Sequence, residues 1–141
     1  LGCRLYEAPD IATKKFFVRS QEFINEEVTD AYLRTRYALA LVASVNDNNQ
    51  TIHPAQFARD HLEEADQARF VHYLESADIS NAPIRKDRSL IEPQLRKSRW
   101  DFESGIAVLG PPDSLEAHVT VESLDDGRTQ ARIVDRLTHA V

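Results

Sequence analysis

Apolar residues recur at helical spacing through the first half of this chain and at strand spacing through much of the second. Asp10-Ile11-Ala12-Thr13 opens a segment with no proline or glycine until Pro54, and Asp10 or Thr13 is placed to cap its first turn. Phe16, Ser20, Phe23 and Glu27 follow at helical intervals, with Phe17 and Ile24 beside them, which predicts an amphipathic helix. Thr29 is the expected cap of a second helix, in which Leu33, Tyr37, Leu41 and Val45 recur every four residues. Ala38 to Ala43 fill most of its other faces, so it is expected to be the most buried helix. The polar run Asn46 to Gln50 favours side-chain bonds to its own backbone and predicts a loop. His53-Pro54 restarts a helix with proline at the first helical position, and Phe57, Ala58 and Leu62 form its apolar face. A fourth helix is expected over Glu63 to Ala77. Its acids at 63, 64 and 66 sit at the positive end of the dipole, and Phe70, Tyr73, Leu74 and Ala77 face the core.

After Ser80-Asn81-Ala82-Pro83 the period shortens to two. Trp100 and Phe102 alternate with Arg99, Asp101 and Glu103, and Ser104-Gly105 then turns the chain toward Ile106 and Val108. Gly110-Pro111-Pro112-Asp113 breaks the pairing. Val119 and Val121 mark a third strand, Asp125-Asp126-Gly127 a turn, and Ala131 and Ile133 a fourth strand. Four helices followed by a small antiparallel sheet predict the α+β class. The composition divides this into a helical subdomain, 1–82, and a small antiparallel sheet subdomain, 83–141.

Charge sharpens the division. Residues 1–82 carry eight Lys/Arg against thirteen Asp/Glu, residues 83–141 nine against ten, and the whole chain has a net charge of −6. One cationic strip stands out: Arg85, Lys86, Arg88, Arg96, Lys97 and Arg99, against Asp87 and Glu92 alone. Spread along an extended segment, these side chains suit phosphate contacts that track a backbone without reading bases, and Trp100 could stack on a base. The bland alternatives are a solvated surface for the strip and a core role for Trp100. No helix carries the Arg/Asn/Gln set of a major-groove reader.

Signatures of catalysis are few. The single cysteine, Cys3, allows no internal disulfide and stands in no nucleophile context. His53, His61, His72, His118 and His139 show no zinc spacing. No nucleophile elbow, Walker loop or dinucleotide fingerprint occurs. Asp101 and Glu103 on one side of a strand, with Lys97 nearby, leave a metal-dependent nuclease as a residual alternative. The uncharged, mostly apolar stretch Tyr37 to Asn46 is about half of the roughly 20 residues that span a bilayer, so no membrane partner is expected. The start, Leu1-Gly2-Cys3-Arg4, lacks the regions of a secretory signal, which points to the cytoplasm. Methionine is absent, even at position 1, as expected of a piece of a longer protein.

Several short strings occur in a telling order. Leu1-Gly2-Cys3 leads into Thr13-Lys14-Lys15-Phe16-Phe17. Phe57-Ala58 follows the polar loop, and Phe70 with Tyr73-Leu74 comes next. Gly105-Ile106, Pro111-Pro112, Asp126-Gly127 and Ile133 complete the series. In this order and spacing the chain resembles the C-terminal part of the bacterial nucleoid-associated, NdpA-like protein family. The resemblance implies a non-enzymatic protein of the nucleoid, with DNA or DNA-processing proteins as partners. It brings no catalytic residues and no cofactor, and it implies an N-terminal domain preceding this segment. The acidic balance departs from what direct DNA binding predicts, so a protein-interaction or homo-oligomerisation module without DNA contact stands beside it.

Overall fold

The structure, a computed structural model, describes residues 7–140; Cys3 and the Leu1-Gly2-Cys3 string lie outside that range. Helix α1 (Pro9–Glu27) starts with Pro9 in its first turn behind an extended Ala8. Neither Asp10 nor Thr13 caps it. Thr13 is fully buried instead, where its hydroxyl accepts the amide of Asp87 at 2.9 Å and faces the carbonyl of Arg85 at 3.4 Å. A threonine one turn inside a proline-started helix is free to bolt a distant segment to the helix face. The expected stripe is otherwise as read, with Phe16, Phe17, Ser20, Phe23 and Ile24 buried and Glu27 exposed.

Helix α2 (Ala31–Asn46) is capped by Asp30, whose carboxylate accepts the Leu33 amide at 2.9 Å, and not by neighbouring Thr29. Tyr37, Leu41, Val42 and Val45 are buried, but Arg36 and Ala43 are exposed, so the helix keeps one solvent face. Strand β1 (Thr51–Ile52) precedes α3 (Pro54–His61) and α4 (Glu64–Ser76). Phe16, Phe23, Phe57 and Phe70 from three helices meet edge-on or tilted, at centroid distances from 5.3 to 6.5 Å. Tyr37 ties α2 to the start of α4: its hydroxyl donates to Asp66 at 2.6 Å and accepts the Glu63 amide at 2.9 Å.

The remaining elements are β2 (Ile84–Arg85), α5 (Glu92–Arg96), β3 (Ser98–Asp101), β4 (Ala107–Gly110), α6 (Pro112–His118), β5 (Val119–Ser123) and β6 (Thr129–Ile133). The fold is α+β, with most helices first and most strands after them. Its strands form three separate antiparallel pairs, β1–β2, β3–β4 and β5–β6, rather than the single sheet expected. The physical reason is length. Two-residue β1 and β2, and the helix α6 started by Pro112, leave no run long enough to join the hairpins edge to edge. Pro111-Pro112 breaks pairing as expected, but only to begin a helix. Both turns are as read: Gly105 and Gly127 adopt positive φ, 94° and 83°.

Composition changes at Pro83, whereas the core continues beyond it. Ile91 and Leu95 are buried with the phenylalanines, and Ile84 packs against them. The β5–β6 hairpin and α6 lie against α2 through buried Val121 and Leu115. Among the described residues no helix is long and apolar enough to cross a membrane.

Candidate nucleic-acid interface

The cationic strip does not act as one surface, because α2 takes two of its members. An α-helix ends with carbonyls that lack intrahelical partners. The Lys86 ammonium donates to the carbonyls of Ser44 (2.9 Å) and Asp47 (3.2 Å), and to the Asp47 carboxylate. Its side chain is only 5% exposed. Arg88 donates to both the carbonyl and side-chain oxygens of Asn46, each at 3.0 Å. Burial would raise the Asp47 carboxyl and is the largest single influence on it. Hydrogen bonds from Lys86 and from the Asn49 amide together outweigh that influence and hold it below its ordinary range. The polar loop and the first three cations of the strip therefore belong partly to each other: β2 pairs Arg85 with Thr51, and the Lys86 amide donates to the Gln50 carbonyl. Arg85 alone of these three leaves its side chain in solvent.

The other three cations remain outward. Arg96 is exposed at the end of α5, 4.0 Å from Glu92, and Arg99 pairs with Asp101 at 2.8 Å. Both pairs are exposed and hold their partners weakly, so neither withdraws its arginine from other anions. Lys97 is exposed with no ion pair among the described residues. Lys97 and Arg99 form one lip of a groove of about 510 Å³ between β3 and the α1–α2 pair. Trp100 and Phe102, half-buried, stand on the same side. Arg34 of α2 stands opposite, above a floor that includes Ile24, Leu41 and Val121. Arg34 also donates twice to the carbonyl of Val28 at the end of α1, at 3.1 and 2.8 Å, which fixes its guanidinium at the groove.

The groove is cationic although the chain is acidic. Its charged lining is Arg34, Lys97 and Arg99 against Asp101, and the α1 residues that line it, Gln21, Ile24 and Asn25, are all uncharged. Trp100 is half-buried and not enclosed in the core, and it borders this open cleft. The contribution of Arg34 and Asn25 was beyond sequence reasoning. They sit some seventy residues from Trp100, and only the packing of β3 across two helices brings them together.

One further expectation is corrected by the backbone. Strand β3 ends at Asp101, and Glu103 lies in the turn closed by the Phe102 carbonyl and the Gly105 amide, so Asp101 and Glu103 do not share a strand face. Among the described residues no group of three or more His, Cys, Asp or Glu side chains is placed to hold a metal ion. Two of the histidines make contacts within the fold: His61 lies against Phe57, and His118 meets the Val134 carbonyl at 3.2 Å.

No protein-family profile, curated protein or solved structure matches the chain. The groove and the surfaces around it therefore carry the functional argument alone.

Proposed function

We propose that this chain is a non-enzymatic, nucleoid-associated module that holds nucleic acid weakly and without sequence preference along the Lys97–Arg99 lip of the groove and neighbouring, exposed Arg96. The observation that supports this is the local reversal of charge: a cationic lip and an aromatic wall in a chain of net charge −6. Phosphates meet Lys97, Arg99 and Arg96, and a base edge or face reaches Trp100. The surrounding carboxylates limit affinity, which suits a module that supports DNA association made elsewhere in a longer protein. Roughly three phosphate contacts correspond to a log–log salt slope of about −2.7.

Trp100 is the sole tryptophan, so its fluorescence reports the groove directly. Titration with a mixed-sequence oligonucleotide at low salt is expected to quench it, with the same affinity for unrelated sequences. Lys97→Glu with Arg99→Glu should abolish the response, while Arg85→Glu should leave it intact. Absence of binding at low salt, or binding indifferent to the Lys97 and Arg99 reversals, overturns the proposal.

A further inference from the structure

Strand β6 is the least covered element of the fold. All of Thr129 to Ile133 is exposed, and the strand pairs with β5 on one side only. Beyond it the chain continues with Val134 and Leu137, at 70% and 81% exposure. A long, unpaired strand edge is a template for another strand unless charge, proline or a bulge protects it. This edge has no proline and a single charge, Arg132.

Its hydrogen-bonding parity can be read from the ends of the hairpin. The Leu124 amide donates to the Arg128 carbonyl, and the Val134 amide donates to the His118 carbonyl. Bonding groups alternate along an antiparallel pair. Gln130 and Arg132 therefore turn their backbone groups toward β5, and Thr129, Ala131 and Ile133 turn theirs outward. No protein group among the described residues bonds those outward amides and carbonyls.

We infer that this edge pairs with the same edge of a second copy of the chain, antiparallel and centred on Ala131. In that register Thr129 faces the partner's Ile133, Ala131 faces the partner's Ala131, and Ile133 faces the partner's Thr129. Every outward-turned residue then exchanges both of its backbone bonds. Sliding the copies two residues either way leaves one of these pairs without a strand partner. In one direction it also sets Arg132 against the partner's Arg132, two like charges face to face. In the centred register Arg132 faces the partner's Gln130, in the close non-bonded position. The side chains suit a second copy in this register, because no like charges meet: Gln130 faces the partner's Arg132 as a polar pair, and small Ala131 faces its own copy. The nucleic-acid proposal places its contacts on Arg96, Lys97, Arg99 and Trp100, none of which belongs to β6; of the edge strand only Thr129 also borders the groove.

Residue 130 separates dimerisation from folding. Within one chain Gln130 faces Glu122, and across the two-fold it faces the partner's Arg132. Gln130→Glu thus weakens the hairpin of each copy yet tightens the dimer; Gln130→Arg strengthens the hairpin yet loosens the dimer. Each change acts twice in a symmetric pair, so the dimer constant should move by about fivefold in either direction. Sedimentation velocity of the full chain across a concentration series measures that constant, and thermal melting measures the fold. A second variant, Ala131→Pro, removes an outward amide and spares the bonds to β5; it should yield monomer with unchanged helical circular dichroism. Opposite movements of dimer constant and melting temperature support the inference. A chain that stays monomeric at the highest concentration overturns it. So does a dimer that neither residue-130 variant affects, because such a dimer uses another surface, or an unrelated extended peptide that binds β6 while the chain alone remains single.

Discussion

Lys86→Met removes the ammonium that closes α2 and keeps the buried stem almost unchanged in length. The side chain is 5% exposed, and it holds two backbone carbonyls and a carboxylate. Without it, the Ser44 and Asp47 carbonyls lose their charged donor, and the Asp47 carboxylate loses its counter-ion. A buried ion pair broken from one side costs about 3–5 kcal/mol. Asp47 is 42% exposed, so water recovers part of its solvation and the pair belongs below that range. Charged hydrogen bonds to carbonyls contribute about 1.5–3 kcal/mol when lost. We expect a destabilisation of about 2–3 kcal/mol, which for a domain of this length lowers the melting temperature by roughly 7–10 °C. Urea denaturation followed by circular dichroism gives the free energy. Asp47→Asn should cost about 1 kcal/mol, and the double variant should cost less than the two singles together, since they share one interaction. The linkage carries a pH signature. The Asp47 carboxyl lies below its ordinary value in the folded chain, so its stabilising effect is present above the unfolded value. It disappears as pH falls through the folded one. Wild type and Asp47→Asn should therefore converge in stability under acid conditions. A Lys86→Met protein within about 0.5 kcal/mol of wild type, or strict additivity with Asp47→Asn, would refute this account of Lys86 and return it to the solvated strip.

Other perturbations probe other joints. Burial, and then the hydrogen bond to Asp66, push the Tyr37 phenol well above the ordinary tyrosine range. The folded chain thus favours neutral Tyr37, and the stability it adds is present below about pH 10 and lost as pH rises beyond that. Spectrophotometric titration should show Tyr37 ionising only as the chain unfolds, and Tyr37→Phe should cost about 1–3 kcal/mol by stranding the Glu63 amide and Asp66. An early, reversible ionisation of every tyrosine in folded protein contradicts this. Thr13→Val keeps the shape of a fully buried side chain but leaves the Asp87 amide without its acceptor. A loss of about 1–3 kcal/mol is expected in chemical denaturation, with faster hydrogen exchange at Asp87; unchanged exchange there would show the bond to be idle. Gly127→Ala forces a side chain into positive φ at the β5–β6 turn, at a cost of about 1 kcal/mol. Since the added methyl meets nothing within 4 Å, any larger loss in a melting experiment would point to a cause other than the backbone.

The helical half was legible because periodicity reports which face of a helix meets the core. Phe16, Phe23, Tyr37, Phe57, Phe70 and Leu74 are all buried on the stripes that predicted them. Caps were less legible. Asp10, Thr13, Thr29 and Asp30 are all chemically able to cap, and backbone geometry chose Pro9 with Ala8 for α1 and Asp30 for α2. The candidate site was legible only in its composition. A count of charge marks Arg85 to Arg99 as cationic, but it cannot tell a lysine that seals a helix end from one that faces water. Lys86 and Lys97 differ in that respect because only the Lys86 ammonium is bonded to carbonyls at the end of a helix, whereas Lys97 lines the open groove.

The one-dimensional order of apolar and polar residues sufficed for the α+β class, for the first four helices, and for the turns at Gly105 and Gly127. Each of these depends on neighbours a few residues apart. Tertiary packing decided the partition of the strands into separate hairpins, the capping of α2 by Lys86 and Arg88, and the groove that joins Arg34 to Trp100. Those features arise where segments distant along the chain compete for the same unpaired carbonyls and apolar faces, and that competition is resolved only in three dimensions.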